Sequence, residues 1–204
     1  MHVGLDFDNT IAGYDSVFVS AAQSRGFISD PAARSKLEVR SAVRSLEDGE
    51  RKWMALQGEV YGKLMKNAEL ISGVNDFLTA CKSQKIRVHI VSHKTEHGHY
   101  DVDRVNLRDA ARAWMNDHGF FDADGFGLND DDVIFESTRE DKVAQIAAIG
   151  CSHFVDDLEE VFLEPGFPQH VEGILFDPVG TINTKANVIV KNSWQDIQDH
   201  LLAT

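Results

Sequence analysis

The chain lacks the features that would place it outside the ordinary globular proteins. Its 204 residues include two cysteines, Cys81 and Cys151. These can pair only once and have no Cys or His at zinc-site spacing around them, so we expect reduced, buried thiols. No apolar run approaches the roughly 20 residues needed to cross a bilayer, and the first residues have no signal-peptide pattern. We therefore expect no membrane association and a cytoplasmic location.

Positive charge is also scarce. The chain has 20 Lys and Arg against 33 Asp and Glu, which gives a formal net charge of −13. No cluster of Lys and Arg follows a pattern suited to a phosphate backbone, so we expect no binding to nucleic acid polymers. An acidic protein that handles a small anion must neutralise it locally, with a metal ion, a lysine or helix N-termini.

Short apolar segments alternate with helical segments over most of the chain. Their near-continuous apolarity and β-branched residues indicate strands that are buried on both faces. This alternation predicts an α/β fold with a doubly wound, mainly parallel, Rossmann-like sheet. The predicted strands are 3–7, 87–91, 133–135, 153–155 and 173–176, and the predicted helices are 74–84, 106–118, 142–149 and 193–202.

One segment interrupts this alternation. Residues 15–67 are rich in helix formers, and their apolar residues Trp53, Leu56, Val60 and Leu64 recur three or four positions apart, as on one face of a helix. The pattern predicts a helical insertion at 15–67 within an α/β core made of 1–14 and 68–204.

Polar and charged side chains stand where several predicted strands end. In open α/β sheets, ligands bind beyond the carboxyl ends of the strands. An ionised carboxylate directly after an apolar strand is costly unless it is paired or bound to a metal. We therefore predict a shared site at this edge of the sheet. Its members are Asp6 and Asp8 after the first strand, Ser92 after the second, Asp156 and Asp157 after the fourth, and Lys142 at the start of the preceding helix.

These residues resemble the four motifs of the haloacid dehalogenase (HAD) superfamily of phosphatases. An apolar strand ending in Asp-x-Asp-x-Thr is matched by the run from Asp6 to Thr10. Ser92 matches the Ser or Thr that ends the next core strand, Lys142 matches the motif lysine, and Asp156-Asp157 matches the acidic pair. The resemblance spans most of the chain and implies a HAD-like hydrolase whose segment 15–67 is a small helical cap.

By this resemblance the chain is a Mg²⁺-dependent phosphohydrolase. Asp6 would be the nucleophile that forms an aspartyl-phosphate, and Asp8 would be the general acid and base. Lys142 would hold phosphoryl oxygens and offset the charge of Asp6. The expected substrate-binding residues are Thr10, which would also brace the loop, and Ser92, together with His93 and Lys94, which directly follow Ser92 in the sequence. The implied metal ligands are Asp6, Asp8 through its backbone carbonyl, Asp156 and Asp157, an all-oxygen set that suits Mg²⁺.

The expected substrate is a small phosphorylated metabolite, because the implied cap is modest. Within the family, Asp8 favours a phosphatase over a dehalogenase, since ester cleavage uses a second carboxylate and dehalogenation does not. Two alternatives stay open. The chain is a phosphomutase that uses the same aspartyl-phosphate, or it is a HAD-like domain that binds without catalysis.

Three histidines follow the second predicted strand. His93, His97 and His99 can be read as a metal cluster, as substrate contacts or as solvated loop residues. They have no cysteine or acidic partner at fixed spacing, which weakens the zinc interpretation. His93 and Lys94 come directly after Ser92, and we expect them to contribute to specificity.

Overall fold

The computed structural model describes residues 1–29 and 35–202. The chain forms two compact units. Unit 1 consists of Met1–Ala12, Leu70–Lys94 and His118–Thr204, and unit 2 consists of Gly13–Glu69 and Thr95–Asp117.

The strands and helices follow the alternation expected from the sequence. The strands are β1 His2–Leu5, β2 Ala12–Gly13, β3 Glu69–Leu70, β4 Arg87–His93, β5 Val133–Glu136, β6 His153–Asp156, β7 Glu172–Phe176 and β8 Ile189–Lys191. The helices are α1 Asp15–Ser24, α2 Lys36–Arg44, α3 Gly49–Tyr61, α4 Val74–Ser83, α5 Leu107–Asp117, α6 Arg139–Ile149, α7 Glu159–Phe162 and α8 Trp194–Leu202. Single 3₁₀ turns occupy Met65–Asn67 and Asp130–Asp132.

Unit 1 is built on a six-stranded parallel sheet. The strand order is β5-β4-β1-β6-β7-β8, so the chain starts in the middle of the sheet and extends it in both directions. Leu5 of β1 aligns with Ile90 of β4 and with Val155 of β6. The strand order reverses beside β1, which is where open α/β sheets bind ligands. The predicted α/β fold with a Rossmann-like parallel sheet is confirmed.

Two elements of unit 1 differ from the sequence prediction. Strand β8 was not predicted, because its three residues are too few to establish an apolar period. Helix α6 begins at Arg139 rather than at Lys142, because the Thr138 side chain caps it by accepting a hydrogen bond from the Asp141 backbone N–H. Lys142 therefore lies in the first turn of the helix and not at its start.

The interior of unit 1 is closely packed around β1 and β6. A Cβ at Gly4 would lie 2.5 Å from the Phe154 ring, so only glycine fits this position of β1. Cys81 and Cys151 are both buried and free, as expected. Burial raises the pKa of Cys81 to about 12 and that of Cys151 to about 11, which keeps both thiols protonated and unreactive.

Unit 2 is helical. The indole of Trp53 in α3 stacks on the Phe18 ring of α1 with 5.1 Å between ring centroids. Leu56 and Val60 are fully buried, as the predicted stripe requires, whereas Leu64 lies beyond the end of α3 and is half-buried. Helix α2 begins with a capping box in which Ser35 and Glu38 each accept the other's backbone N–H.

The boundaries of unit 2 bear on the predicted insertion. Residues 15–67 fall in its first segment, with 30–34 outside the described residues. Helix α5, which the sequence analysis assigned to the core segment 68–204, belongs to unit 2. The division into a catalytic core and a cap stays a prediction.

The short strands β2 and β3 pair with each other in a separate two-stranded sheet. Across residues 1–29 and 35–202, no helix combines the length and the apolarity that a membrane span requires.

A pair of histidines lies on neighbouring strands β1 and β4 of unit 1. His2 Nε2 and His89 Nδ1 are 2.8 Å apart, so one ring nitrogen donates and the other accepts. Desolvation lowers the pKa of both rings, and the guanidinium of Arg87 lowers it further, while Asp132 opposes the shift. The pair is therefore neutral at pH 7, and folding is linked to its protonation.

We expect the contribution of the histidine pair to stability to fall as the pH drops below about 6.5, the ordinary histidine pKa, because the unfolded chain then binds protons that the folded pair does not. Denaturant unfolding midpoints at pH 7.5 and pH 5.5 measure the effect. His89→Asn keeps a polar group near the position of Nδ1 without titrating, so the difference between the two pH values should shrink in this variant. An unchanged difference would show that other groups cause the pH dependence.

Candidate active site

The loop after β1 presents two carboxylates at the carboxyl edge of the sheet. The Asp6 backbone N–H donates to the Val155 carbonyl at 2.8 Å, which extends the pairing of β1 with β6 by one residue. Asn9 has φ of 60°, a left-handed conformation that asparagine tolerates. The backbone N–H groups of Ile11 and Ala12 then both donate to the Phe7 carbonyl and close the turn.

Lys142 lies between two of the site's carboxylates. Its Nζ donates to Asp6 Oδ1 and to Asp156 Oδ2, both at 2.6 Å. Lys142 is 1% exposed, Asp6 is 5% exposed and Asp156 is fully buried, so this is a buried ion-pair triad. Asp156 ends β6, and its Oδ1 accepts the Leu158 backbone N–H at 3.0 Å.

The position of Lys142 explains the charge state of the triad. Burial alone lowers the pKa of Lys142, but the carboxylates of Asp156 and Asp6 outweigh burial and raise it, so the ammonium form persists. Burial raises the pKa of Asp156 above its usual range, and Lys142 opposes that shift.

Ser92 contacts the same oxygen of Asp6. Its Oγ donates to Asp6 Oδ1 at 3.0 Å from the buried end of β4. Within the described part of the chain, both side-chain hydrogen bonds that Asp6 accepts therefore fall on Oδ1. This arrangement holds the carboxylate through one of its two oxygens.

Asp8 forms an ion pair with Lys94. Lys94 Nζ lies 3.0 Å from Asp8 Oδ1 and 2.9 Å from Asp8 Oδ2. The Lys94 side chain is 2% exposed and that of Asp8 is 19% exposed. The backbone N–H of Lys94 donates to the Glu136 carbonyl, so pairing of β4 with β5 holds its backbone.

Thr10 is fully buried and braces the loop. Its Oγ1 lies 3.5 Å from Asp157 Oδ1, and its carbonyl accepts the Trp194 indole N–H at 2.9 Å. These contacts fit the expected bracing role and leave direct substrate binding by Thr10 without support.

Three of the carboxylates can hold a metal ion. Asp6, Asp156 and Asp157 each offer one oxygen, and these oxygens lie within 4.8 Å of one another. Among the described residues, this is the one group of three or more His, Cys, Asp or Glu side chains with such an arrangement. Its hard oxygen ligands suit Mg²⁺ better than zinc. The Asp8 side chain lies outside the group, and the expectation for Asp8 concerns its backbone carbonyl.

The histidines do not form a metal cluster. His93 is exposed, and its Nε2 lies 2.9 Å from the Ser137 carbonyl oxygen. His97 and His99 belong to unit 2, where His97 Nδ1 lies 3.3 Å from the Val105 carbonyl oxygen. No histidine belongs to the metal-binding group that the described residues contain.

The structure thus brings together six of the predicted residues, and it pairs Asp8 with Lys94. The six are Asp6, Thr10, Ser92, Lys142, Asp156 and Asp157. The role of Trp194, which lies 184 residues from Thr10 along the chain and donates to its carbonyl, was not predicted. The contact between Lys94 and Asp8 was not predicted either. No local sequence signal reports either contact, since both depend on packing between distant elements.

Comparison with known proteins supports the fold. No protein-family model and no curated protein sequence matches the chain. A HAD family hydrolase from Deinococcus radiodurans R1, solved with bound phosphate and sodium, is 12% identical with a TM-score of 0.60. The alignment covers 98% of this chain and 94% of that chain.

Two further solved structures have the same fold. An L-2-haloacid dehalogenase is 14% identical with a TM-score of 0.58, over 99% of this chain and 98% of that chain. A predicted phosphoglycolate phosphatase from Haemophilus somnus 129pt is 15% identical with a TM-score of 0.52, over 98% of this chain and 96% of that chain. The chain therefore has the fold of the HAD-superfamily hydrolases, and the different activities of these neighbours belong to those proteins.

We expect Lys142→Met to destabilise the protein by about 3–5 kcal/mol, because it leaves two buried carboxylates without their shared cation. Denaturant unfolding measures the loss. Adding Asp156→Asn to the variant should recover part of it, since one of the two opposed charges is then removed. If Lys142→Met unfolds at the same denaturant concentration as the parent, the triad does not contribute to stability.

Proposed function

We propose that this chain is a Mg²⁺-dependent phosphohydrolase that cleaves a small phosphate monoester through an aspartyl-phosphate on Asp6. The observation that carries the proposal is the geometry of Asp6. Lys142 and Ser92 hold one oxygen of its carboxylate, and the second oxygen can meet a phosphorus atom at the edge of the sheet. A carboxylate held in place within a metal-binding group suits covalent phosphoryl transfer.

In the first half-reaction, Asp6 Oδ2 attacks the phosphorus and the bond to the leaving oxygen breaks. Asp8 gives its proton to that oxygen, so an alcohol departs and Asp8 becomes a carboxylate. Lys142 and Ser92 keep Asp6 oriented and can also hold phosphoryl oxygens, as the family resemblance implies.

In the second half-reaction, a water molecule attacks the phosphorus of the aspartyl-phosphate. The Asp8 carboxylate takes a proton from the water, the bond between phosphorus and Asp6 breaks, and inorganic phosphate leaves. Asp6 returns as a carboxylate and Asp8 returns in its protonated form, which completes the cycle.

The charge of the site supports a divalent cation. Asp6, Asp156 and Asp157 supply three acidic groups around the single ammonium of Lys142, so the metal-binding group has more acidic side chains than cations. Asp6, Asp156 and Asp157 would hold Mg²⁺, with Asp8 contributing its backbone carbonyl. The bound ion would neutralise charge on the phosphoryl group.

The partner we propose is a small phosphorylated metabolite in the cytoplasm, and not a nucleic acid polymer or a membrane, in keeping with the net charge of −13. The phosphomutase and the non-catalytic binding domain remain the alternatives. Release of inorganic phosphate would support a hydrolase. Isomerised product without phosphate release would support a phosphomutase, and binding without turnover would support a non-catalytic binding domain.

We expect Asp6→Asn to stay folded and to lose at least about a thousandfold in turnover. The amide oxygen can still accept the hydrogen bonds of Lys142 and Ser92, but the side chain is no longer a nucleophile. Phosphate release from a panel of phosphorylated metabolites measures turnover, and thermal unfolding verifies the fold. Full activity of this variant would rule out Asp6 as the nucleophile.

We also expect phosphate release to stop when a chelator removes divalent ions and to return when Mg²⁺ is added in excess. Isothermal titration of Mg²⁺ into the chelated protein should show a site that Asp157→Asn weakens, because that variant removes one of the three clustered ligands. The control variant Asp131→Asn removes an exposed carboxylate elsewhere in unit 1 and should not change binding. Chelator-insensitive turnover would contradict the metal requirement.

A further inference from the structure

We propose that Lys94 is a positioning residue that holds the Asp8 carboxylate in place to take the proton from water during hydrolysis of the aspartyl-phosphate. The inference rests on the proposed function and extends it, since the family motifs matched above include Lys142 but no lysine at this position.

The Lys94 ammonium contacts both oxygens of the Asp8 carboxylate. The ammonium is 3.0 Å from one carboxylate oxygen and 2.9 Å from the other, so it faces the middle of the carboxylate. A cation in this position restrains rotation of the carboxylate plane as well as the position of its carbon. A general base must be held in this way, because proton transfer requires hydrogen-bond distance and direction.

The burial of Lys94 makes the restraint strong. The residue is 3% exposed, and its Nζ also lies 5.6 Å from the centre of the Phe7 ring. Its backbone is held by the hydrogen bond to the Glu136 carbonyl. A lysine loses its hydration when it is buried in this way, and that cost is offset only where the ammonium has a close anionic partner.

The two lysines of the site serve different carboxylates. Lys142 contacts Asp6 and Asp156, whereas Lys94 contacts Asp8. Asp6 and Asp8 are two residues apart, and each is paired with its own cation. Lys94 thus holds Asp8, and Lys142 remains with Asp6 and the metal-binding group.

In the proposed cycle Asp8 acts on the leaving oxygen in the first half-reaction and on water in the second. A leaving group that departs without a proton needs Asp8 only in the second half-reaction. Removing Lys94 should therefore slow the second half-reaction, in which water is the nucleophile, more than the first.

Rapid-mixing kinetics with p-nitrophenyl phosphate separates the two half-reactions. p-Nitrophenolate leaves without a proton, so formation of the aspartyl-phosphate does not need Asp8 in this substrate. We expect Lys94→Met to keep a rapid first release of about one equivalent of p-nitrophenol, followed by steady-state turnover reduced about tenfold to a hundredfold. Intact-protein mass spectrometry of the quenched reaction should show phosphorylated protein accumulating.

Two further variants test whether Lys94 acts through Asp8. Lys94→Arg keeps the charge and should recover part of the turnover. Asp8→Asn should also accumulate phosphorylated protein, and adding Lys94→Met to it should cause little further loss, because residues that act as a unit are not additive. A second loss as large as the first would overturn the inference.

The outcomes separate this inference from the proposed function. One outcome would overturn the positioning role. If Lys94→Met slows the first release of p-nitrophenol and the steady-state turnover by the same factor, and its thermal unfolding matches that of the parent, Lys94 acts in phosphate binding. If Lys94→Met does not fold, the same comparison is made with Lys94→Arg and Lys94→Gln. If the parent protein hydrolyses no phosphate monoester, the proposed function itself is wrong, whatever the results with the variants.

Discussion

The ammonium of Lys142 holds the carboxyl edge of the sheet together. Without it, Asp6 and Asp156 would face each other as two buried carboxylates at the ends of adjacent strands β1 and β6. At an effective dielectric constant of 20, two unit charges about 4 Å apart interact by about 4 kcal/mol, which is comparable to the stability of a small domain. One helix, α6, delivers the cation to both strands, and the same interaction therefore supports the packing of the sheet and the orientation of Asp6.

The metal-binding group and the second lysine depend on this arrangement. Lys142 contacts Asp6 and Asp156, and these two residues together with Asp157 each offer an oxygen to the group that can hold a divalent ion. Asp8 is left outside that group and is paired with Lys94. In a chain with a net charge of −13, two of the 20 Lys and Arg residues are buried in unit 1, and both are paired with carboxylates. A phosphate at this site would therefore need the divalent ion that we propose.

The sequence predicted the site well where strand ends decide the positions. Asp6, Ser92 and Asp156 each come at the carboxyl end of an apolar strand, and parallel strands bring such ends together. The contact between Lys94 and Asp8 was not predictable, because it depends on β4 continuing to His93 and on the next backbone N–H pairing with the Glu136 carbonyl. The same holds for α5, whose amphipathic pattern indicates a helix but not that the helix packs within unit 2 rather than on the sheet.

The pairing of Asp8 bears on which chemistry the fold performs here, since neighbours with this fold include a dehalogenase and a predicted phosphatase. A halide leaves as an anion, so dehalogenation does not need a second carboxylate to protonate the leaving group. Cleavage of a phosphate ester of an alcohol needs a proton donated to the leaving oxygen and then one removed from water. Burying the Lys94 ammonium costs stability, and its ion pair with Asp8 offsets that cost. The same ion pair holds the carboxylate that the proposed phosphohydrolase would use at both of these steps.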